Sequence, residues 1–549
     1  MTDKQTAKLS SLRARPTFNL ADLFELVVDE VPEREALVAG DTRRTFAELD
    51  ERANRIANHL LGLGLEPGAK VAIHGWNRVE WVETFFGAFK ARLVPVNVNY
   101  RYVADELHYI FDNADVEAVV AERSFLPLLG RIQPELPLLR HVVVLEDGDD
   151  ADLDDATPYE DALAATGPGR PELPRSGDDL YILYTGGTTG TPKGVMWRHE
   201  DIFFASLGGG GFGQPPIRTP EEIAGRVWPE DGRVTSLTLA PIMHGAAQWG
   251  MCIMLFGGGK VVLYTPHGFD PHQAWRLAER ERAMTIMVVG DAMARPLGEA
   301  LDEKSYDLAS VVSVGSGGAV FSTAVKAKLR EHLPNALMID TFGASELGAS
   351  GSQPDPDAGP RFNAIESMSV LGDDLRPVAP GSGEIGLLAR RGHIPLGYYK
   401  DEAKTAATFV TDPDGVRWSV PGDHARIEAD GTITLLGRGS GCINTGGEKV
   451  YPEEVEAAVK SHPDVFDAVV VGVPDERFTE RVAAIVQPRA GRAPTLEDLA
   501  THCRETIAGY KVPREVKVVD AVQRTPSGKA DYRWAKQQLE TDRAEGRRT

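Results

Sequence analysis

Short apolar runs alternate with amphipathic helical patterns along most of this chain, and few folds accommodate such an order. From Phe46 onward apolar residues recur at steps of three and four, and Thr45 with Glu48 forms a capping box that predicts where this helix begins. Further apolar runs that predict strands lie at residues 70–73, 93–98, 118–120, 142–145, 285–289 and 311–314. Strands separated by helices form βαβ units, so we expect an α/β fold of mainly parallel sheets with helices on both faces.

The pattern changes after about residue 361, where short alternating segments such as GEIGLLA and VRWSV are separated by turns. Asp430-Gly431 is a hairpin signal in this region, and we expect a small barrel-like β region at the end of a large N-terminal domain. Helical and strand patterns then return, in YPEEVEAAVKS and VFDAVVVGVP, and predict a small mobile α+β C-terminal domain. The predicted segments are an N-terminal domain over 1–437, a hinge over 438–441 and a C-terminal domain over 442–549.

The composition narrows the range of functions. At 549 residues with 42% hydrophobic and 26% charged residues, the chain resembles a globular protein of more than one domain. Its 81 acidic residues exceed its 59 Lys and Arg, and the net charge of −22 argues against nucleic acid as the main partner. The 3 cysteines are far apart, which argues against a disulfide scaffold or a zinc site. No apolar stretch approaches the roughly 18 residues of a membrane span, so we expect a cytoplasmic protein without a transmembrane segment. A homodimer is one oligomeric state that is compatible with the sequence.

The stretch LYILYTGGTTGTPKGVM, residues 180–196, predicts a polyphosphate-binding loop. An apolar strand leads into glycines that let successive backbone N–H groups point into one concavity, while threonine hydroxyls and Lys193 add donors and positive charge. It is not a Walker A loop, because Lys193 follows Pro192 and precedes Gly194 instead of Ser or Thr. The residues predicted to hold ATP phosphates are Thr185, Gly186, Gly187, Thr188, Thr189, Gly190 and Lys193.

Together with motifs further along, this loop resembles the adenylate-forming superfamily of acyl-CoA synthetases, peptide-synthetase adenylation domains and luciferases. The motifs, in family order, are APIMHGA (240–246), SGGAV (316–320), TFGASE (341–346), PGD (421–423), LLGR (435–438), NTGGEKVYPEEVE (444–456) and TPSGKADY (525–532). Each motif is weak alone, but the ordered set is specific and spans nearly the whole chain. The resemblance implies an ATP-dependent acid:CoA ligase that uses ATP, Mg²⁺ and coenzyme A and releases AMP and pyrophosphate.

The resemblance assigns catalytic roles to four residues of this sequence. It implies that Glu346 holds Mg²⁺ on the ATP phosphates, a task suited to a hard oxygen ligand. Lys529 matches the lysine that bridges the substrate carboxylate and the α-phosphate, and Lys193 matches the phosphate-loop lysine. His244 corresponds to the gate between the acyl pocket and the thiol entrance.

The resemblance also implies a nucleotide site and a thiol site. Asp423 matches the acid that accepts both ribose hydroxyls, and Arg438 matches an arginine that contacts ribose or phosphate. The other residues assigned to ATP are Gly317, Gly318 and Ala319 beside adenine, Asp340, Thr341, Phe342, Gly343, Ala344 and Ser345. Phe342 and Ser345 depart mildly from the usual Tyr and Thr. Lys449, with Gly446 and Gly447, is assigned to the thiol step.

The acyl pocket is predicted along Met243, His244, Gly245, Ala246, Ala247 and Trp249. Small residues beside the gate are compatible with a roomy pocket. The segments GVMWRHEDIFFA and APIMHGAAQW are similar to actinobacterial ligases for long-chain fatty acids or steroid side-chain acids. One departure concerns the hinge, where Ser440 stands in place of the usual acid and Asn444 replaces a common lysine.

Two other functions are compatible with the resemblance. One is an adenylate former that passes its acyl group to the phosphopantetheine of a carrier protein. The other is a noncatalytic protein that binds an acyl nucleotide. The joint presence of Lys193, Glu346, Asp423 and Lys529 favours a catalyst over a binding protein.

Overall fold

A computed structural model provides the structure of the chain. It describes residues 15–185, 192–209, 215–317, 319, 321–352, 361–438, 443–445, 448–475, 479–505, 507, 509–525 and 530–544. Contacts between Cα atoms group the chain into two compact units. The first unit comprises Met1–Val288, Tyr306–Val314 and His393–Ala407, and the second comprises Val289–Ser305, Gly315–Gly392 and Thr408–Thr549.

Helices and strands alternate along the described residues as the sequence pattern predicts. The helices are α1 Leu20–Glu30, α2 Phe46–Gly62, α3 Val79–Lys90, α4 Ala104–Asn113, α5 Leu126–Ile132, α6 Tyr159–Ala164, α7 His199–Ser206, α8 Gly245–Phe256, α9 Pro271–Glu281, α10 Gly290–Glu303, α11 Thr323–His332, α12 Glu402–Thr408, α13 Pro452–Lys460, α14 Leu496–Arg504 and α15 Tyr532–Ala544. The strands are β1 Glu35–Ala39, β2 Thr42–Thr45, β3 Lys70–His74, β4 Val94–Asn97, β5 Val116–Glu122, β6 His141–Leu145, β7 Thr157–Pro158, β8 Leu180–Thr185, β9 Lys193–Arg198, β10 Thr235–Thr238, β11 Lys260–Leu263, β12 Thr285–Val288, β13 Ser313–Gly317, β14 Leu337–Ala344, β15 Gly348–Ser352, β16 Arg361–Ala364, β17 Met368–Leu371, β18 Gly386–Arg391, β19 Gly397–Tyr398, β20 Phe409–Thr411, β21 Arg417–Ser419, β22 Asp423–Ile427, β23 Ile433–Arg438, β24 Ile443–Thr445, β25 Glu448–Val450, β26 Val465–Asp475, β27 Thr479–Pro488 and β28 Glu515–Val518.

The first unit is built mainly on parallel sheets. Strands β4-β3-β5-β6-β7 form a five-stranded sheet in which each neighbouring pair is parallel. Strands β1, β11, β10 and β12 are likewise parallel neighbours, with β2 antiparallel at the edge of β1. Successive residues of β5 enter different hydrophobic clusters, Val119 in one and Val120 in the other, because side chains alternate between the two faces of a strand. Both faces of this sheet are therefore buried, as a parallel sheet requires.

The predicted helix beginning at Phe46 is confirmed as α2. Thr45 caps it, since its hydroxyl accepts a hydrogen bond from the Glu48 N–H while the Glu48 carboxylate accepts one from the Thr45 N–H. Ile56 and Leu60 pack in the same cluster as Val71 of β3, so the apolar face of the helix covers the parallel sheet. The apolar period therefore correctly predicted which face of the helix is buried.

The second unit contains the antiparallel region expected after residue 361. Strands β22 and β23 form the hairpin predicted by Asp430-Gly431, and Gly431 adopts a φ of 83°, a conformation that favours glycine. Strands β17, β21 and β22 all pair antiparallel with β18. Residues beyond Ile443 form two hydrophobic clusters of their own against the long pair β26 and β27. The domain boundaries given above stay a prediction, and residues 439–441 of the predicted hinge lie outside the described residues.

Within the described ranges, no helix combines the length and apolarity needed to cross a membrane.

Candidate active site

In the first unit the predicted phosphate loop joins two antiparallel strands. Strand β8 ends at Thr185, strand β9 begins at Lys193, and these two residues are cross-strand partners. The connecting residues assigned to phosphate, Gly186, Gly187, Thr188, Thr189 and Gly190, lie outside the described residues. The strand before the loop was predicted; the one after it was not, although the alternation in KGVMWR is its signal. A loop that leads into a strand agrees with the conclusion that this is not a Walker A motif.

Lys193 has a carboxylate partner within the same unit. Its Nζ atom donates a hydrogen bond to Asp401, and the two side chains are 38% and 27% exposed. Hydrogen bonding by Lys193 lowers the pKa of Asp401 below its usual value, so this carboxylate is charged at neutral pH. The lysine charge is therefore accessible and held by a counter-ion that lies 208 residues away in sequence.

Two asparagines, Asn97 at the end of β4 and Asn77 in the segment after β3, hold the residues around His244. Asn97 donates from Nδ2 to the carbonyl oxygens of Tyr184 (2.9 Å) and Met243 (2.8 Å), and its Oδ1 accepts from the Tyr184 N–H. Asn77 donates to the carbonyl oxygen of Ala240 at 3.2 Å. The structure thus brings the phosphate-loop strand and the predicted gate together through side chains that the sequence analysis did not identify.

His244 precedes helix α8, whose first turn carries the predicted acyl-pocket residues. Met243 is 2% exposed and Ala247 is fully buried, whereas Ala246 is half-buried. A Cβ atom at Gly245 would lie 2.5 Å from Cδ2 of Leu183, so only glycine fits there without displacement. Trp249 is mostly buried as well. Ala246 is therefore the alanine of this turn whose size can change with the least disturbance of the core.

In the second unit, the residues assigned to adenine lie beside the start of the TFGASE motif. The hydroxyl of Thr341 donates to the carbonyl oxygen of Ser316 at 2.8 Å. Ser316 immediately precedes Gly317, and its own hydroxyl accepts from the Gly290 N–H and donates to the carbonyl oxygen of Ala319. Gly318 lies outside the described residues. One buried serine thus connects two of the predicted nucleotide segments.

Asp340, which precedes the motif, has a basic partner. Burial raises the pKa of its carboxyl to about 6, although Lys326 opposes the shift from 3.5 Å. Lys326 is almost fully buried, and burial lowers the pKa of its ammonium. The carboxyl group assigned to ATP is therefore partly withdrawn from solvent, with Lys326 as a nearby cation.

Glu346 is carried on the turn between β14 and β15, and buried donors hold that turn. The Ser419 hydroxyl donates to the carbonyl oxygen of Glu346 at 2.6 Å. Arg390 donates to the carbonyl oxygens of Leu347 and Ala349, the latter at 3.0 Å. Ser419 and Arg390 are 0% and 4% exposed. A serine and an arginine from β21 and β18, neither of them identified from sequence, fix the backbone on both sides of Leu347.

The same turn depends on a glycine and on aromatic packing. A Cβ atom at Gly343 would lie 2.7 Å from the Gly348 carbonyl oxygen, so the close approach of β14 and β15 requires glycine. Phe342 packs against Phe362 with ring centroids 5.5 Å apart. The neighbouring Ala344 and Ser345 are partly buried.

Asp423 and Arg438 are cross-strand partners at the open end of the β22–β23 hairpin, so the backbone places these two predicted nucleotide contacts side by side. Lys449 lies on β25 opposite Asn444. Gly446, Gly447 and Lys529 lie outside the described residues. The assignments of these residues therefore rest on sequence.

The single carboxylate of Glu346 fits a magnesium ion that a nucleotide would help to hold. Among the described residues, Glu346 belongs to no group of three side chains close enough to enclose a metal ion. A single protein carboxylate is what Mg²⁺ needs when phosphate oxygens and water fill its remaining positions. Glu346 could therefore hold the ion, with ATP supplying the other oxygens.

Comparison with known proteins defines the class. The profile of the AMP-binding enzyme family matches residues 24–399, and that of the AMP-binding enzyme C-terminal domain matches residues 454–529. The chain therefore belongs to the AMP-binding enzyme family. This result confirms the predicted resemblance and the prediction of an AMP-forming ligase.

Relatives extend the match over nearly the whole chain. A 3-oxocholest-4-en-26-oate--CoA ligase of Rhodococcus rhodochrous is 49% identical over 533 residues, which are 95% of this chain and 96% of the relative. A medium/long-chain-fatty-acid--CoA/3-oxocholest-4-en-26-oate--CoA ligase of Mycolicibacterium smegmatis is 47% identical over 94% of this chain and 96% of the relative. The crystal structure of an anthranilate CoA ligase with anthranoyl-AMP has the same fold, with a TM-score of 0.83, 24% identity and coverage of 97% and 99% of the two chains. This similarity confirms the predicted fold class.

Proposed function

We propose that this chain is an acid:CoA ligase for long-chain fatty acids or steroid side-chain acids. The observation that carries the proposal is the 49% identity, over 95% of the chain, to a ligase named for a steroid side-chain acid. A second relative is named for both substrate classes. Three features of the chain support the chemistry: Lys193 is accessible, Glu346 lies on a turn held by buried donors, and Ala246 is half-buried in the first turn of α8.

The first half-reaction activates the acid. A carboxylate oxygen of the substrate attacks the α-phosphorus of ATP, the bond from that phosphorus to the bridging oxygen breaks, and pyrophosphate leaves. Lys193 and the backbone of its loop hold the phosphates, and Lys529 stabilises the charge that develops between carboxylate and α-phosphate. Glu346 would hold Mg²⁺, which neutralises phosphate charge when bound. Asp423 binds the ribose hydroxyls, and this set positions the two reactants.

The second half-reaction transfers the acyl group. The sulfur of coenzyme A attacks the acyl carbon of the adenylate, the bond from that carbon to the phosphate oxygen breaks, and AMP leaves. His244 lies between the acyl pocket and the entrance for the thiol. The loop of Gly446, Gly447 and Lys449 approaches the adenylate in this step. The cytoplasmic location and a homodimeric state stay predictions.

A screen of acids by size tests the substrate class. Purified full-length protein is assayed for ATP–pyrophosphate exchange and for CoA thioester with acetate, octanoate, palmitate and a steroid side-chain acid. We expect the two large acids to support both reactions far better than acetate. A preference for acetate would contradict the substrate class. Exchange without any thioester would instead favour transfer to a carrier protein.

Lys529→Ala separates the two half-reactions. Loss of one preorganised charge contact costs about 10²- to 10³-fold in rate, so the variant should lose ATP–pyrophosphate exchange yet keep most thioester formation from supplied acyl-adenylate. Lys536→Ala, on the exposed side of α15, is the matched control and should behave like the parent. Equal losses in both half-reactions would contradict the role given to Lys529.

A further inference from the structure

Asn97 lies between two segments that the first half-reaction requires to be aligned. It is the last residue of β4, and its amide contacts the backbone of Tyr184 on β8 and of Met243 beside His244. Tyr184 precedes Thr185, which is assigned to the ATP phosphates, whereas Met243 belongs to the predicted acyl pocket. A single side chain therefore joins the segment assigned to the nucleotide to the segment assigned to the acid.

The Asn97 amide divides its two donors between these segments. Its Nδ2 atom donates to the carbonyl oxygen of Tyr184 at 2.9 Å and to that of Met243 at 2.8 Å. Its Oδ1 atom accepts from the Tyr184 N–H at 2.8 Å. Because the two N–H bonds of an amide diverge at a fixed angle, the group holds both carbonyl oxygens at a set separation. A side chain with one donor could hold only one of the segments.

Paired strands support Asn97 and Tyr184. Asn97 lies opposite Ile73 in the parallel pairing of β4 with β3. Tyr184 lies opposite Gly194 in the antiparallel pairing of β8 with β9, and Gly194 follows Lys193. Strands hold functional residues more precisely than loops do. The bonds from Asn97 to Tyr184 therefore also restrain the start of β9, where Lys193 is located.

Other contacts join β8 to helix α8 at more buried positions. The Tyr181 hydroxyl donates to Oε1 of Gln248 at 2.8 Å, and both side chains are buried. A Cβ atom at Gly245 would lie 2.5 Å from Cδ2 of Leu183, so strand and helix are in close contact there as well. These contacts pack the two elements together. Asn97 instead acts where β8 ends and where the chain enters α8.

We propose that Asn97 is a positioning residue for the first half-reaction. It sets the separation of β8 from the acyl segment, so that a carboxylate oxygen of the acid faces the α-phosphorus of ATP. Displacement of reacting groups by about 1 Å can cost about 10²-fold in rate, whereas neither substrate needs this alignment in order to bind alone. This role rests on the proposed function, because it concerns the bond that forms between the acid and ATP.

The acyl-adenylate distinguishes a positioning role from general damage to the fold. Once the bond from the carboxylate oxygen to the α-phosphorus exists, that bond itself fixes the acyl group relative to the phosphate. Thioester formation from supplied acyl-adenylate should therefore depend little on Asn97. A disturbed fold would instead slow both half-reactions.

Two variants of the full-length protein test the role of Asn97. Asn97→Asp keeps the shape and the acceptor but removes both donors, and Asn97→Ala removes the amide without adding charge. In both we expect kcat for ATP–pyrophosphate exchange to fall about 10- to 100-fold. The KM values for ATP and acid, and thioester formation from supplied acyl-adenylate, should change little.

Asn58→Asp and Asn58→Ala are the matched controls. The Nδ2 atom of Asn58 also donates to two carbonyl oxygens, those of Gly167 and Gly169, each at 2.9 Å, but Asn58 lies on α2 and contacts neither β8 nor the acyl segment through these bonds. Both controls should exchange pyrophosphate at the parent rate. A similar fall in kcat at Asn58 and Asn97 would overturn the positioning role.

The parent and the Asn97 variants are compared with each acid of the size series. If the parent exchanges pyrophosphate but Asn97→Ala keeps the parent kcat, the positioning role is overturned while the proposed function stands. Equal losses in exchange and in thioester formation, or a loss confined to the KM of one substrate, would also overturn it. A parent that shows no exchange with any acid would contradict the proposed function and, with it, this role.

Discussion

At the scale of single residues, hydrogen bonds to backbone carbonyls hold the turn that carries the carboxylate assigned to magnesium. The carbonyl oxygen of Glu346 itself accepts from Ser419, the carbonyl oxygens of Leu347 and Ala349 accept from Arg390, and both donors are buried. A buried donor to a carbonyl restricts the turn without competing for the Glu346 carboxylate. The geometry of that carboxylate therefore depends on residues that need not touch ATP.

The first prediction concerns Ser419→Ala. Removal of one buried hydrogen bond should cost about 0.5–1.5 kcal/mol of stability and loosen the turn that carries Glu346. We expect the Mg²⁺ concentration for half-maximal pyrophosphate exchange to rise several-fold, while the KM for the acid changes little. A magnesium titration of the purified variant measures this.

Ser310→Ala is the matched control for Ser419→Ala. Its hydroxyl also donates to a backbone carbonyl, that of Ala283 at 2.9 Å, but Ser310 belongs to the first unit, whereas the carboxylate turn belongs to the second. Similar magnesium requirements in the two variants would contradict a positioning role for Ser419.

Sequence reasoning identified charged and glycine-rich motifs at this scale but not the residues that hold them. Lys193 and Glu346 stand in recognisable local patterns. Asn97 contacts Tyr184 across 87 positions, and Arg390 reaches Leu347 across 43. Such partners meet only after the sheets have formed, and a lone asparagine at a strand end has no distinctive local signal. The local motifs were therefore predictable, whereas the supporting residues required coordinates.

At the scale of elements, the first turn of helix α8 carries one predicted acyl-pocket residue, Ala246, that can be replaced by a larger one with little disturbance of the core. Ala247 faces the core and Gly245 abuts Leu183, so a larger side chain at either position would disturb packing. Ala246 is half-buried and follows closely after His244. A substitution at Ala246 therefore tests the predicted acyl pocket without disrupting the packing of the core.

The second prediction is that Ala246→Phe narrows the acyl pocket. Activity with long-chain and steroid acids should fall by one or more powers of ten, because each methylene that loses burial costs about 0.8 kcal/mol, while octanoate should be affected much less. Ratios of kcat/KM across the acid series measure the shift. Ala246→Ser, nearly equal in size to the parent, should keep the parent preference. Uniform loss on all acids would instead indicate damage to the fold.

Three helices of the first unit meet at one buried ammonium. Lys90 of α3 is fully buried and lies 2.6 Å from both Glu25 of α1 and Asp50 of α2. Burial alone would raise the pKa of Glu25, but Lys90 and Arg175 outweigh it and lower the pKa to about 2. Arg175 also pairs with Glu25 and Arg170 with Asp50, but Lys90 is the fully buried cation that contacts both carboxylates.

The third prediction is that Lys90→Met destabilises the protein by about 3–5 kcal/mol, since it removes the fully buried cation that Glu25 and Asp50 share. Chemical denaturation with a fluorescence readout measures the loss. Lys328→Met is the control, because its partners Asp302 and Glu331 are exposed and such pairs contribute about 1 kcal/mol or less. Equal effects of the two substitutions would contradict the importance of the buried junction.

The acid sensitivity of the same junction has a definite sign. Because the folded-state pKa of Glu25 is about 2 and the ordinary value is 4.5, its ionised form contributes stability above about pH 4.5 that is lost as the pH falls toward 2. Lys90→Met removes a main cause of the lowered pKa. The free energy of unfolding of this variant should therefore fall less steeply over that pH range than that of the parent.

At the scale of the whole molecule, the order of motifs predicted a family whose C-terminal domain rotates between half-reactions. The fourth prediction is that Ser440→Pro, which fixes φ inside the predicted hinge, uncouples the two steps. Acyl-adenylate should accumulate while thioester formation falls, or the reverse, and rapid-quench measurement of both products detects it. A variant that folds and runs both steps at the parent rate would place the swivel elsewhere.

The contact between Lys193 and Asp401 has a consequence for turnover. With Lys193 as the phosphate ligand proposed above, a phosphate would displace a tethered anion, and nucleotide binding would be an exchange of anions. The free energy of the internal pair opposes phosphate binding. The same carboxylate would then compete with pyrophosphate for the lysine as the product leaves. In this proposal Asp401 lowers the affinity for phosphate and pairs with Lys193 again once pyrophosphate has left.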